Sequence, residues 1–201
     1  MRDCQCREHH QPRKVVITGG PGAGKTAVLE LVRRTLCEHV HVVGEAAGIV
    51  FGGGFPRAFD PESRRAAQRA IFFVQRELEA LAAAANPAVV LCDRGTVDGA
   101  AYWPGPGELW PAVGTTLALQ LARYDAVIHL RTPPAAAYNH QNPLRIESAL
   151  EAFAIDARIA TAWHGHPHYH AIPSSPDFLD KASRAIALIR ASIPACCAIA
   201  N

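Results

Sequence analysis

The sequence predicts a three-layer α/β/α fold on a five-stranded parallel sheet, and three observations carry that prediction. Short runs rich in β-branched residues alternate with longer stretches of helical period, the pattern of strands joined by crossover helices. The first run passes straight into a cluster of glycines that opens a helix. The 201 residues suffice for one domain with a sizeable core, because a chain of that length buries roughly 70% of its unfolded surface.

Lys14–Thr18 is the first strand, a continuous apolar run of the kind covered on both faces. Gly24–Cys37 follows as a helix with Val28, Leu31, Val32 and Leu36 at helical spacing. Val40–Val43 is the second strand, after which Gly48, Gly52, Gly53, Gly54 and Pro56 predict a mobile connection. Pro61 opens the next helix, whose apolar face runs through Ala67, Ala70, Ile71, Val74, Leu78 and Leu81 until Asn86-Pro87 stops it. Val89–Cys92 is the third strand. Asp93–Gly107 is a loop with room for one helical turn, and Glu108–Ala122 is a further helix. The fourth strand, Ala126–Leu130, ends at Pro133-Pro134, and Arg145–Trp163 is an amphipathic helix. His168–Ile172 is the last strand and Asp177–Ser192 the closing helix. The expected organisation is a flexible tail over 1–12, one domain over 13–193 and a second tail over 194–201. No internal repeat interrupts it.

A net charge of +2 with 19% charged residues gives no field to draw the molecule onto nucleic acid or an anionic membrane. Apolar stretches such as Ala80–Ala85 and Val89–Cys92 fall far short of the roughly 20 residues that span a bilayer. The polar amino end, Met1–Gln11, lacks the apolar run of a secretory signal, so a cytoplasmic protein is expected. Six cysteines are too few for a disulfide scaffold, and Cys37 and Cys92 are expected in the core. Cys4, Cys6, His9 and His10 have a spacing that suits zinc, in competition with an ordinary frayed terminus. Cys196 and Cys197 carry no pattern. His164, His166, His168 and His170 alternate in a way that suggests metal, but no acid or cysteine lies nearby in sequence to complete a site.

Gly19-Gly20-Pro21-Gly22-Ala23-Gly24-Lys25-Thr26 fits the spacing G-x-x-x-x-G-K-[ST], and it falls between a strand and a helix, where the mechanism of that motif requires it. Glycines let successive backbone N–H groups turn inward around a phosphate, and the following helix adds its positive end. Gly20, Pro21, Gly22, Ala23, Gly24, Lys25, Thr26 and Ala27 are therefore expected to hold the phosphates of ATP. Lys25 would bridge the β- and γ-phosphates, and the Thr26 hydroxyl would ligate Mg²⁺.

Val89-Val90-Leu91-Cys92-Asp93 has the form of a strand whose carboxyl end presents an acid, the edge where ligands bind in open parallel sheets. Asp93 would hold Mg²⁺ through a water or accept a proton from an attacking hydroxyl; an N-cap is the plain alternative. Arg94 beside it suits a substrate carboxylate or phosphate. Glu45, after the second strand, is a candidate general base or substrate anchor, with a solvated turn as its alternative. Asp98, Tyr102 and Trp103 suit a ring-bearing, hydroxylated substrate, although for the two aromatics alone core packing is the better explanation. Arg131, Arg145 and Arg158 lie where small phosphotransferases carry a closing lid, and Arg145 is preferred because it follows Asn142-Pro143.

With those residues assembled, the chain resembles the AAA-28 type ATPase domain, a small P-loop family related to the ribosylnicotinamide kinase domain. The resemblance runs from about Lys14 to Arg190. It rests on Ile17 to Thr26, on Glu45-Ala46-Ala47, on Asp93-Arg94-Gly95-Thr96-Val97-Asp98 with Ala101-Tyr102-Trp103, and on Asn142-Pro143-Leu144-Arg145. It implies a nucleoside-kinase-like P-loop NTPase fold, with Glu45 and Asp93 near the acceptor and Arg145 in the lid. Ala46-Ala47 stands where several relatives place an arginine, which leaves the acceptor open.

The reading favoured by these residues is an ATP- and Mg²⁺-dependent phosphotransferase acting on a hydroxyl of a small, nucleoside-like metabolite. The rival is a nucleotide-dependent regulator with slow hydrolysis and a protein partner. A remodelling ATPase is disfavoured because no helical lid domain follows the core, and GTP because no Asn-Lys-x-Asp stretch follows a strand. The expected partners are ATP and the acceptor, without nucleic acid or membrane, and a homodimer is left open.

Overall fold

The computed structural model describes residues 6–133, 148–175 and 177–197. Five parallel strands, β1 (Arg13–Thr18), β2 (Val40–Val43), β3 (Val89–Asp93), β4 (Ala126–Leu130) and β5 (Tyr169–Ile172), form one sheet in the order β2-β3-β1-β4-β5. All five lie within a residue or so of the expected runs. The reason is visible in their burial: both faces of the central strands are covered, so the apolar signal is continuous rather than alternating.

Successive strand residues point to opposite faces, and the two faces build two cores. Val15, Ile17, Leu91, Ile128 and Leu130 pack against α1 (Lys25–Thr35) and α8 (Phe178–Ala191). Val16, Val90, Cys92 and Val127 pack against α3 (Pro61–Ala84) and α7 (Ala149–Trp163). Between α1 and α3 lies α2 (Ala46–Gly52); α4 (Gly99–Tyr102), α5 (Leu109–Ala112) and α6 (Leu117–Leu121) lie between β3 and β4. Each fully buried aliphatic side chain, Ile17 and Leu91 among them, contributes roughly 1.5–3 kcal/mol relative to exposure. A buried acid, Glu79 of α3, ties the layers together by accepting from Gln75 Nε2 at 3.0 Å, Tyr124 Oη at 2.7 Å and Arg123 Nη2 at 2.6 Å.

Helix starts follow their caps. Pro61 opens α3 behind Asp60, which accepts from the Ser63 N–H at 2.9 Å. Ser148 and Glu151 form a reciprocal capping box on α7, so that helix begins at Ala149; its expected start at Arg145 lies outside the described residues.

Three expectations change. The loop expected over Asp93–Gly107 with one helical turn carries a 3-10 turn, Thr96–Asp98, that runs straight into α4. Gly48 and Gly52, expected in a mobile connection, lie in α2, which packs against α3 and ends at Gly53 before Gly54 turns left-handed with φ +94°. Tertiary packing there overrides the low helix propensity of glycine. The single helix expected over Glu108–Ala122 is two, because Gly114 adopts φ +68° after α5 and the Thr116 hydroxyl starts α6 afresh by accepting from the Leu119 N–H at 3.3 Å. Cys37 and Cys92 are buried, as expected. Among the described residues no helix is long and apolar enough to cross a membrane.

Candidate active site

The sheet order puts the turn from β1 to α1 at the centre of the carboxyl edge, flanked by the ends of β3 and β4. Register fixes the neighbours: Ile17 faces Asp93 on one side and Thr18 faces His129 on the other. In this turn Gly19, Gly22 and Gly24 adopt φ of +144°, +78° and +94°, a backbone course that side chains resist. A Cβ at Gly19 would run into the Leu130 carbonyl, and one at Gly24 would lie 2.7 Å from the Phe178 ring. Lys25 folds back over the loop and donates to the carbonyls of Gly19 at 2.8 Å and Gly20 at 3.3 Å. Burial, reinforced by the charge of Arg94 and opposed by Asp93, Glu45 and Asp98, lowers its pKa to about 8. Thr26 and Ala27 are exposed in the first turn of α1.

Two side chains that sequence reasoning missed hold this loop from behind. Asp156 of α7, fully buried, accepts from the Gly20 N–H at 3.0 Å, His129 Nε2 at 2.9 Å, the Thr132 N–H at 3.1 Å and Arg131 Nε at 2.6 Å. Burial works against its charge, but the bonds from His129 and the Gly20 amide win and hold its carboxyl well below the usual carboxylate range. Lys181 of α8 donates to the carbonyls of Ala23 at 2.8 Å and Arg131 at 2.6 Å, and burial lowers its pKa to about 8. A signal existed in both cases. Asp156 stands between Ala152 and Ile159 on the apolar stripe of its helix, and Lys181 stands one turn before Ala185 and two before Ile189. A charge on such a stripe is buried and must be paired.

Beyond β3 the expected residues come together. Arg94 adopts φ +71°, rare for a residue with a side chain; its N–H donates to the Ile17 carbonyl at 2.9 Å and its carbonyl accepts from Gln75 Nε2 at 3.1 Å. Its guanidinium donates to Glu45 at 2.6 Å and to Asp98 at 3.3 Å, and lies 5.5 Å from the centre of the Tyr102 ring. Burial raises the Glu45 pKa, but the charge and hydrogen bond of Arg94 outweigh it, leaving Glu45 below its ordinary value. Both Asp98 oxygens face protein donors: Oδ1 meets the Thr18 hydroxyl and Arg94, and Oδ2 meets the Gly95 N–H at 2.9 Å and Trp163 Nε1 at 3.2 Å. Asp93 differs, because its Oδ1 is buried with no hydrogen-bond partner among the described residues. Burial is the main cause that lifts its pKa, with Glu45 and Asp98 adding to it.

Glu45, Arg94, Asp98 and Tyr102, but not Asp93, line a cavity of about 620 Å³ together with Pro21 of the phosphate loop, Arg57, Arg64, Phe51, Ile71, Glu151 and Arg158. The other arginines named for a lid divide: Arg131 is held by Asp156, and Arg158 donates to the Ala101 carbonyl at 2.7 Å beside the cavity. Arg145 lies outside the described residues, as does Cys4. Trp103 packs against the core on the α3 side. The alternating histidines gather no metal site among the described residues, since His166 spends one ring nitrogen on the Tyr124 carbonyl at 2.8 Å and the other on the His168 N–H at 3.1 Å.

Comparison with known proteins agrees with this geometry. No curated protein matches the chain in sequence. Among solved structures, thymidylate kinase from Candida albicans, described for its broad substrate specificity and a novel structural element, aligns with a TM-score of 0.60 at 10% identity, covering 90% of this chain and 92% of that one. At that identity the likeness shows the fold, a kinase-like P-loop architecture. Residues 14–180 match the AAA_28 family, an AAA domain. With the phosphate-loop sequence on a glycine turn between β1 and α1, the chain belongs to the AAA_28 family of P-loop domains.

Proposed function

We propose that this protein is an ATP- and Mg²⁺-dependent phosphotransferase that delivers the γ-phosphoryl group to a hydroxyl of a small, nucleoside-like acceptor. The observation that carries the reading is that Pro21 of the phosphate loop lines a 620 Å³ cavity whose walls also offer Glu45, Arg94 and Tyr102. A cavity of roughly 300–1,000 Å³ suits a small metabolite, and a pure nucleotide switch has no need of one beside its phosphates.

The residues present fit the nucleotide and its cation. Three left-handed glycines and the start of α1 make a cradle for a polyphosphate, and the ammonium of Lys25 already rests on two loop carbonyls. The exposed Thr26 hydroxyl and the unpartnered Asp93 oxygen are hard oxygen donors that would hold Mg²⁺, directly or through water. The cation supplies neutralisation of phosphate charge. Lys25 orients the phosphates; Asp93, whose raised pKa makes it a better proton acceptor, or Glu45 orients the acceptor hydroxyl. Arg94 and Tyr102 form one wall for the acceptor, with Asp98 holding Arg94 in place. Arg57, Arg64 and Arg158 make the cavity receptive to an anionic group on the acceptor. The likeness to a thymidylate kinase recommends nucleosides and their monophosphates as the first acceptors to try.

The test is a screen of nucleosides, nucleoside monophosphates and hydroxylated metabolites with Mg·ATP, reading phosphorylated product by mass spectrometry. One acceptor turned over well above background supports the proposal. Tight ATP binding with background turnover across the panel would remove it and favour a regulator that reports nucleotide to a protein partner.

A further inference from the structure

The opposite edge of the sheet, where the strands begin, gathers thiols and imidazoles from three distant parts of the chain. Cys6 and His10 precede β1, Cys37 and His39 lie in the turn between α1 and β2, and Cys197 lies in the short 3-10 turn Ala195–Cys197 after α8. The Nε2 atom of His10 is 3.4 Å from Cys6 Sγ and 3.4 Å from Cys197 Sγ. The donor atoms of Cys6, His10 and Cys197 all lie within 4.8 Å of one another, and so do those of Cys37, His39 and Cys197. Cys37 and Cys197 are buried together around Ala88, with Cys6 packed against them. His39 Nδ1 is buried with no hydrogen-bond partner among the described residues, and its ring meets that of His10 edge-on at 5.6 Å.

We infer that Cys6, His10 and Cys197 provide three ligands of a structural zinc site that pins both ends of the described chain to the core, completed by rotation of Cys37 or His39, whose own triad shares only Cys197 with the first, toward the metal. Three arguments carry it. Zinc–sulfur bonds of about 2.3 Å and zinc–nitrogen bonds of about 2.0–2.1 Å in a tetrahedron put sulfur and nitrogen about 3.6 Å apart, close to the two contacts at His10. Hydrogen bonding alone serves those contacts poorly, because one imidazole nitrogen has a single lone pair or a single proton to share between two sulfurs. An imidazole nitrogen left buried and unbonded costs stability unless a ligand takes it, and His39, whose ring belongs to the second triad on Cys197, has one in Nδ1. Mixed thiolate and imidazole donors select zinc among the common divalent ions of a reducing compartment. On binding, each ligating thiol gives its proton to solvent and the sulfur lone pair goes to the metal, with no change in oxidation state.

The site lies at the edge of the sheet remote from the phosphate loop, so its expected effect is on stability and not on nucleotide binding. The experiment uses the full chain without a polyhistidine tag, purified without chelator, with metal measured by plasma mass spectrometry and by chromogenic release. About one zinc per chain is expected, lost from Cys197→Ser and from His10→Ala, and retained in His168→Ala, an exposed histidine outside the cluster. Circular dichroism establishes that the depleted variants are folded, and chelation of the unmutated chain should lower its melting temperature while leaving ATP affinity unchanged. Purified protein with less than about a tenth of an equivalent of zinc, and no uptake on dialysis against zinc sulfate, would overturn the inference. So would disulfides among Cys6, Cys37 and Cys197 in freshly isolated protein. Full zinc in a Cys37→Ser, His39→Ala double variant would overturn the four-ligand centre.

Discussion

Replacing Asp98 with asparagine separates two roles for that residue. As a substrate contact it would be dispensable for folding; as a brace for Arg94 it would not. All four neighbours of its carboxylate are donors: the Thr18 hydroxyl and Arg94 at Oδ1, the Gly95 N–H and Trp163 Nε1 at Oδ2. An amide must turn its NH₂ toward one of these pairs. Thr18 can rotate to accept, but Arg94, Gly95 and Trp163 have only protons to offer, so at least one donor is orphaned in either orientation. Asp98 and Arg94 are 4% and 14% exposed in their side chains, so solvent repairs little. Breaking a buried charge pair by removing one partner costs about 3–5 kcal/mol, and Glu45, which remains on Arg94, places the loss toward the lower end. A chain of this size melts roughly 2–4 °C lower per kcal/mol, so Asp98→Asn should melt about 10 °C below the unmutated protein. Urea unfolding followed by circular dichroism measures the loss directly. A loss under about 1 kcal/mol, with a raised KM for the acceptor, would show that Asp98 faces substrate and that the bracing argument is wrong.

Asp93→Asn removes a buried carboxylate whose Oδ1 has no partner, so stability should hold or rise while turnover falls by about 10²–10⁴ with ATP affinity retained; unchanged turnover would take Asp93 out of the chemistry. Lys25 has a pKa of about 8 before phosphate arrives, and phosphate favours its charged form. Below about pH 8 the ammonium is already present and affinity should be flat; above it, binding must take up a proton, so affinity should fall by up to roughly tenfold per pH unit. Calorimetry in buffers of different ionisation enthalpy reads that uptake, and a buffer-independent heat at pH 9 would contradict it. Asp156→Ala should lower stability by about 3–5 kcal/mol and weaken ATP binding through the freed Gly20 amide, and a variant of unaltered melting temperature would refute the role given to that acid.

The strands were legible because their burial on both faces leaves a continuous apolar run, and the phosphate loop because Gly19 to Thr26 must follow a strand and open a helix to work. Glu45, Arg94, Asp98 and Tyr102 were legible as a group since each follows a strand end on one sheet edge. What sequence order hides is contact across the fold. Asp156 reaches Gly20 over 136 residues and Lys181 reaches Ala23 over 158, so neither could be linked to the loop before α7 and α8 are placed on the two faces of the sheet that flank it. Cys197 drew no attention by its spacing, yet folding returns it to His10, 187 residues away. Gly48 and Gly52 misled because glycine marks a loop only where no neighbouring helix covers it, and α3 covers α2.

The central claim is that the turn from β1 to α1 holds the polyphosphate of Mg·ATP, and titration calorimetry of the purified chain tests it most directly. A saturable heat at one nucleotide per chain, strengthened by magnesium and lost in Lys25→Ala at unchanged folding, is the predicted result. Absence of binding in the unmutated protein, or equal affinity in Lys25→Ala, would contradict it.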